Sequence, residues 1–296
     1  MNSIIAGVDI GGTHITAALI DVKRRVILDN SLQRVAVDSK ESADNIFTTW
    51  SNVIKQCFHS YNIKPGKIGM AMPGPFDYKQ GVALMKNQDK FDNLYGLNVK
   101  DKLARLLQIN AEDINIANDA ACFLQGEIFH GAANDNDRIM GLTLGTGLGA
   151  ARAMQMRSED ADLWSEPFKY GIAEDYLSSR WFVKRFYECT GKKVENVKEL
   201  VRSDDPGGFV QAVFNEFGNN LGTFLKPFLE AEKRNVLIVG GSIAKAFDLF
   251  KEELEKALML GDAIQIKKSV LGESAAMMGA ASFCQQAYLS SSTVAW

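Results

Sequence analysis

With 296 residues, 46% of them apolar and 23% charged, the chain has the composition of a folded globular protein, which excludes a disordered, fibrous or membrane-embedded one. Its 33 Lys and Arg stand against 36 Asp and Glu, a formal charge of −3 without any basic block, so the electrostatic footprint of a nucleic-acid binder is missing. The length exceeds a typical single domain and predicts two domains, or one unit duplicated. Cys57, Cys122, Cys189 and Cys284 are too scattered for a disulfide framework or a metal cluster. With neither a secretory leader nor an apolar span of about 18 residues, the reading is a cytoplasmic protein with reduced thiols and no membrane partner.

Residues 3–9 (SIIAGVD) form a β-rich run, GGT a tight turn and ITAALID a second apolar run, which together read as a hairpin pinched by glycine. VKRRVILDN adds a third strand. From Ser42 to Tyr61 the residues Ile46, Phe47, Trp50, Val53, Ile54, Cys57 and Phe58 recur at helical spacing, and KIGMAMPG follows as a short buried strand. INIAND is another strand, leading into the helix AACFLQGEIFHG that Gly131 ends. Residues 138–156, RIMGLTLGTGLGAARAMQM, repeat the opening plan of strand, glycine-threonine turn and strand, and point to an internal duplication. A helical stretch from Glu174 to Tyr187, an amphipathic one from Gly208 to Glu232, the buried strand NVLIVGG and further helices complete an α/β chain. No low-complexity linker interrupts it. The expected division is a smaller domain at 1–117 and a larger one at 118–282, with a cleft near Asn118 and a final helix over roughly 283–296 packing back on the first domain.

A single glycine turn needs only a backbone explanation, since Gly reaches positive φ without a Cβ clash. Two such turns in one chain support a chemical one. Gly11, Gly12 and Thr13, with Gly145, Thr146 and Gly147, offer the amides and hydroxyls that a chain of phosphate oxygens needs at close approach, and two hairpins facing across a cleft would hold a triphosphate. Asp9 would repel phosphate but suits the Mg²⁺ that travels with a nucleotide, directly or through water, because Mg²⁺ keeps most of its waters and takes one or two carboxylates. Gly240, Gly241 and Ser242 end the strand NVLIVGG at a helix N-cap, which is also how a ligand-free βα turn looks. Asp119 can orient a hydroxyl and accept its proton during phosphoryl transfer. On spacing alone, Asn118 or Asp119 reads as well as the cap of the following helix. His14, His59 and His130 lack ligand spacing, and no zinc site is expected.

DIGGT (9–13), MPGPFD (72–77), NDAACFLQGE (118–127), LGTGLG (144–149) and VGGSIA (239–244) stand in an order and spacing that resemble the ROK family of repressors, uncharacterised reading frames and sugar kinases. The resemblance covers most of the chain. It implies a duplicated ribonuclease H-like α/β fold of the actin, hexokinase and Hsp70 type, with two domains around a central cleft. The implied activity is an ATP-dependent sugar kinase that moves the γ-phosphoryl group of Mg-ATP to a hydroxyl of a hexose or N-acylated hexosamine, with Asp119 as general base. Asp9, Gly11, Gly12 and Thr13 would be the first phosphate loop, Gly145, Thr146 and Gly147 the second, and Gly240, Gly241 and Ser242 the adenosine motif. Gly74 and Asn118 would line the sugar pocket, with either Asn93 in FDNLYGLN or Asn87. ATP and Mg²⁺ are the implied cofactors, a small sugar the implied partner, and a homodimer the implied assembly.

The chain departs from the family pattern in one region. Typical members carry Glu-x-Gly-His, then a zinc cluster Cys-x-Cys-Gly-x-x-Gly-Cys, then a Glu at the sugar's anomeric end. Those cysteines are absent here. AEDYLSSR resembles the segment Cys-x-Glu-x-Tyr-x-Ser-Gly-Arg and would make Glu174 a sugar carboxylate, while Glu166 in SEPFK matches the other, or is a solvated loop residue. Lys169 would then replace the His that binds zinc and sugar; an ammonium only donates hydrogen bonds, whereas a neutral imidazole both donates and accepts, so the sugar-facing wall must differ. The competing reading is a catalytically silent sugar-binding or regulatory protein of the same family. Family repressors begin with a helix-turn-helix; with the first loop at residue 9, no DNA-binding domain is expected. A phosphotransferase of the same superfamily acting on a carboxylate or glycerol fits the Asn-Asp pair less well.

Overall fold

A computed structural model of the chain describes residues 3–87, 90–134, 137–259 and 263–292, which fall into two compact units. The first runs to Ala132 and resumes at Glu273; the second spans Ala133–Gly272.

In the first unit β1 (Ile4–Ile10) and β2 (His14–Asp21) form an antiparallel hairpin, and β3 (Val26–Ile27) and β4 (Gln33–Ala36) both pair with β2. α1 (Ala43–His59) begins where the Ser42 side chain accepts the N–H of Asn45, and presents Trp50, Ile54 and Phe58 to the core. It leads to β5 (Ile68–Met72), parallel to β1. After the small pair β6 (Phe76–Asp77) and β7 (Val82–Ala83), α2 (Val99–Leu107) leads to β8 (Ile114–Asn118), parallel to β5. α3 (Asp119–His130) follows and stops at Gly131, whose φ of 102° is available mainly to glycine. The sheet order is β3-β2-β1-β5-β8.

The second unit opens on β9 (Ile139–Leu144), β10 (Leu148–Met154) and β11 (Arg157–Asp160), followed by the short pair β12 (Pro167–Phe168) and β13 (Gly171–Ile172). α4 (Ala173–Tyr176), α5 (Ser179–Thr190), α6 (Val197–Arg202) and α7 (Phe209–Ala231) precede β14 (Val236–Gly240), which runs parallel to β9. α8 (Lys251–Leu258) leads to β15 (Gln265–Lys268), parallel to β14. Its sheet order, β11-β10-β9-β14-β15, repeats the first unit's order, in which β4 is an additional strand on β2. Both are an antiparallel meander continued by two parallel strands, so the duplication read from the two glycine turns is a duplication of topology. Among the described residues no helix is long and apolar enough to cross a membrane.

Three expectations change. The third strand survives only at Val26–Ile27, because the Asp21 carboxylate accepts the N–H groups of Lys23 and Arg24 and turns the chain there. The helix expected from Glu174 to Tyr187 is two helices, α4 and α5. It breaks at Ser178, in extended backbone, and the N–H of Ser179 goes to the carbonyl of Gly145 at 2.7 Å. The last helix, α9 (Ala275–Ser292), begins earlier than expected, and residues 293–296 lie outside the described ones.

α3 belongs to the first unit, so the units divide after Ala132 and not at the end of β8. Helix α9 explains why. It lies backbone against backbone on β1, β5 and α3: a Cβ at Gly69 would fall 2.0 Å from the Ala280 carbonyl oxygen, one at Gly126 1.9 Å from that of Ala275, and one at Gly279 1.8 Å from that of Cys122. Gly126→Ala must therefore push two helices apart, and is expected to destabilise by about 1–3 kcal/mol or more. Gly66→Ala, with nothing within 4 Å, is the control; it should stay within about 0.5 kcal/mol. Urea or thermal unfolding of both variants checks this, and equal midpoints would refute the close-approach account.

Candidate active site

Register brings the first unit's candidates to one sheet edge. Asp9 pairs with Ala71, Ala71 with Ala117, and Met72 with Asn118, so β1, β5 and β8 all discharge their carboxyl ends on the same side. Adjacent strands lie about 4.8 Å apart, which puts β1 and β8 roughly 10 Å from each other. The turn after β1 is closed by Gly11 N–H donating to the His14 carbonyl at 2.9 Å, and the Thr13 carbonyl accepts from Val37 N–H at 2.8 Å.

At the end of β8 the two neighbours divide the work. Asn118 is the helix cap: its Oδ1 accepts the N–H of Ala121 at 3.0 Å, and its Nδ2 donates to the Tyr78 hydroxyl at 3.3 Å. Tyr78 donates to the Met72 carbonyl at 3.0 Å, which ties the ends of β5 and β8 together beside Gly74. Asp119 is the first helical residue. Its Oδ1 accepts the Ala120 N–H at 2.9 Å.

Burial raises both acids. Asp9 is pushed up to about 7, chiefly by desolvation, then by the charge of Asp119 and to a lesser degree Glu273, with Arg34 acting the other way. Arg34 is itself paired with Glu273 at 2.7 Å. Asp119 is also raised by desolvation, with the charge of Lys90 and the Ala120 N–H opposing. Lys90 is a residue that sequence reasoning missed: its Cδ sits 3.9 Å from where a Cβ of Gly12 would be. Of the two asparagines considered for the sugar, Asn93 spends its Nδ2 on the carbonyls of Lys40 and Glu41, at 3.0 and 2.9 Å. Asn87 is exposed, at a φ of 58°, and its N–H donates to Asp92.

In the second unit β9 and β14 are parallel, with Thr143 beside Gly240, and their turns touch. A Cβ at Gly145 would be 3.6 Å from Ser242 Oγ. Gly241 is required twice, by a φ of 88° and by the Leu144 carbonyl oxygen 2.3 Å from any Cβ. Ser242 precedes the 3₁₀ segment Ile243–Leu249 but makes no side-chain cap bond. Glu174 reaches the Gly145–Gly147 turn: its Oε2 accepts the Leu148 N–H at 3.0 Å and its Oε1 pairs with Arg180. Glu166 is exposed, and Lys169 turns to Asn220 on α7, donating to Oδ1 at 2.6 Å beside the Phe168 and Tyr176 rings. Among the described residues no group of three or more His, Cys, Asp or Glu stands together.

Two β-sheets of matching ribonuclease H-like order, each with a glycine turn after its first strand, define an α/β protein of the actin and hexokinase type. The ROK family matches residues 5–158, and the chain belongs to that family. The N-acetyl-D-glucosamine kinase of Mannheimia succiniciproducens is 24% identical over 322 residues, spanning 94% of this chain and 98% of that protein. The solved ROK family glucokinase of Streptomyces griseus, in complex with glucose and AMPPNP, shares 23% identity at a TM-score of 0.76, covering 96% of this chain and 99% of its own. A solved ROK family transcriptional regulator, a homologue of the E. coli MLC protein, gives a TM-score of 0.79 at 16% identity over 96% of this chain and 78% of its own.

The acid at Asp9 has a pH consequence in metal-free protein. A carboxyl with a raised folded pKa binds its proton more tightly folded than unfolded, so its contribution to stability is lost as pH rises from about 4 towards the folded value. That loss is complete above about 7. Asp9→Asn should therefore raise the melting midpoint, in the presence of a chelator, more at pH 8 than at pH 5. Equal increments at the two pH values would show that Asp9 is not desolvated.

Proposed function

We propose that this chain is an ATP-dependent sugar kinase, transferring the γ-phosphoryl group of Mg-ATP to a hydroxyl of a hexose or N-acylated hexosamine with Asp119 as general base. The observation that carries the reading is the division of roles at the end of β8. Asn118 caps α3, which leaves a carboxyl oxygen of Asp119 for a substrate hydroxyl, on the same sheet edge as Asp9. A helix that needed only a cap would have no use for the second, desolvated acid. The N-acetyl-D-glucosamine kinases among the relatives and the solved glucokinase with glucose and AMPPNP support this substrate class.

In the transfer, the hydroxyl oxygen forms its bond to phosphorus as the bridging oxygen departs with its electron pair on ADP. The hydroxyl proton passes to Asp119, whose raised pKa brings it closer to the operating pH, where proton acceptance is most effective. Asp9 is the residue that would hold Mg²⁺: a desolvated carboxylate of raised pKa is a hard oxygen donor in need of a counter-charge. When bound, Mg²⁺ supplies neutralisation of charge on the phosphates. Gly11, Gly12 and Thr13, with Gly145, Thr146, Gly147, Gly240, Gly241 and Ser242, are assigned to the nucleotide. Gly74, Asn118 and Asn87 are assigned to the sugar in the first unit, and Glu166 and Glu174 in the second. Glu174 is already oriented by two donors, and a carboxylate has lone pairs to spare for a third.

A coupled ADP-release assay over hexoses, hexosamines and N-acetylhexosamines tests the reading. The wild type should turn over at least one of them, and Asp119→Asn should lower kcat by about 10²–10⁴-fold while leaving nucleotide binding intact. No ADP release with any sugar would favour the silent binder, and an active Asp119→Asn would place the base elsewhere.

A further inference from the structure

We infer that Lys90 is a catalytic residue, the cation that touches the transferring phosphoryl group, and that Phe91 and Asn93 hold it over the Gly11–Thr13 turn. The inference rests on the kinase reading above and adds a residue to it.

The placement is built, not incidental. Lys90 is half-buried, and its stem passes over Gly12, where only a hydrogen stands in place of a side chain. Phe91, the next residue, is fully buried, its ring edge-on to Trp50 of α1 at 5.4 Å, and its N–H donates to the Ser39 carbonyl at 2.9 Å. Phe91 takes a φ of 58°, a left-handed backbone that a bulky side chain rarely adopts and that persists where the surroundings over-determine it. Two residues on, the Asn93 amide clamps the chain to the Lys40 and Glu41 carbonyls. A ring anchored in the core and a side chain clamped to two carbonyls thus fix the segment that carries Lys90.

The charges give that placement a use. Asp119 is faced by Lys90, by Asp9 from β1, and by Cys122 on its own helix. Arg34, the other nearby cation, is committed to Glu273. Among the described residues the Lys90 ammonium makes no ion pair or hydrogen bond. Beyond the Mg²⁺ assigned to Asp9, two acids and an incoming phosphate would otherwise share one sheet edge with no uncommitted side-chain cation among the described residues. An ammonium whose stem lies over the turn and whose charge reaches the base can donate to a γ-phosphoryl oxygen whose charge rises during transfer, and it gives up no proton in the step. By its charge it also favours the ionised Asp119 that accepts the hydroxyl proton.

The experiment measures kcat, KM and the pH profile for Lys90→Met, Lys90→Gln and Lys90→Arg, with Mg-ATP and whichever sugar of the panel the wild type turns over. Lys86→Met, whose lysine sits over the Tyr95 ring, is the control. Lys90→Met and Lys90→Gln should lose about 10²–10³-fold in kcat. Lys90→Arg should recover part of it, the sugar KM should change by less than about threefold, and the acid limb of kcat/KM should move up by about one pH unit. A merely structural lysine would lower the melting midpoint without moving that limb. An active wild type whose Lys90→Met variant keeps both kcat and the acid limb overturns this inference and leaves the kinase reading standing. A wild type that binds ATP but releases no ADP with any sugar overturns both.

Discussion

The first unit depends on a helix that reaches its sheet without side chains in the way. α9 meets β1, β5 and α3 at Gly7, Gly69, Gly126 and Gly279, where a Cβ would land 1.8–2.3 Å from a carbonyl oxygen of the facing backbone. Ala71, Cys122 and Ala280, small and fully packed, fill what remains. Such contact seats α3 against the sheet, and α3 begins with the residue read here as the base. A chain segment close to the C-terminus in this way sets the position of Asp119, through close packing that tolerates little change in volume.

Burial then does the electrostatic work. Asp9 and Asp119 are both withdrawn from water, and each is harder to ionise than a carboxyl in water. Acids kept apart by two strand spacings still feel each other, which makes the edge a place where cations are stabilised. The second unit repeats the backbone without the charge. One residue before the closing pair of its hairpin, where the first unit has Asp9 opposite Thr16, it has Thr143 opposite Gly149. Of two glycine turns of the same topology, only the first therefore has an acid at this position.

What could be read from the sequence was what local rules determine. The glycine-threonine turns, the helical periodicity from Ile46 to Phe58 and the Gly131 stop are all set within a few residues, and the structure has them. Asn118 and Asp119 could not be told apart by spacing, because either side chain can reach a helix N-terminus; only the bond from Ala121 shows which one does. Lys90 was invisible because it belongs to no periodic element, and its place over Gly12 comes from a ring packed on α1. The break between α4 and α5 was hidden for a similar reason: the partner of the Ser179 N–H is Gly145, more than thirty residues away.

The region that departs most from the family pattern shows how a loop can be held without metal. In typical members, by the resemblance, cysteines and zinc organise this segment. Here the chain folds back at once through β12 and β13, and the Asp175 carboxylate accepts the N–H of Ile172 at 3.0 Å. Lys169, in a left-handed backbone at a φ of 53°, sends its ammonium to buried Asn220 and lies 5.6 and 5.3 Å from the Phe168 and Tyr176 rings. Those rings meet edge to face at 5.5 Å, and Phe168 packs likewise on Phe224 of α7. An ammonium held by an amide and two aromatic faces joins the loop to α7 with charge and ring contacts, much as a metal would with thiolates. A lysine committed in this way serves the loop first, as the tie between the β12–β13 turn and α7.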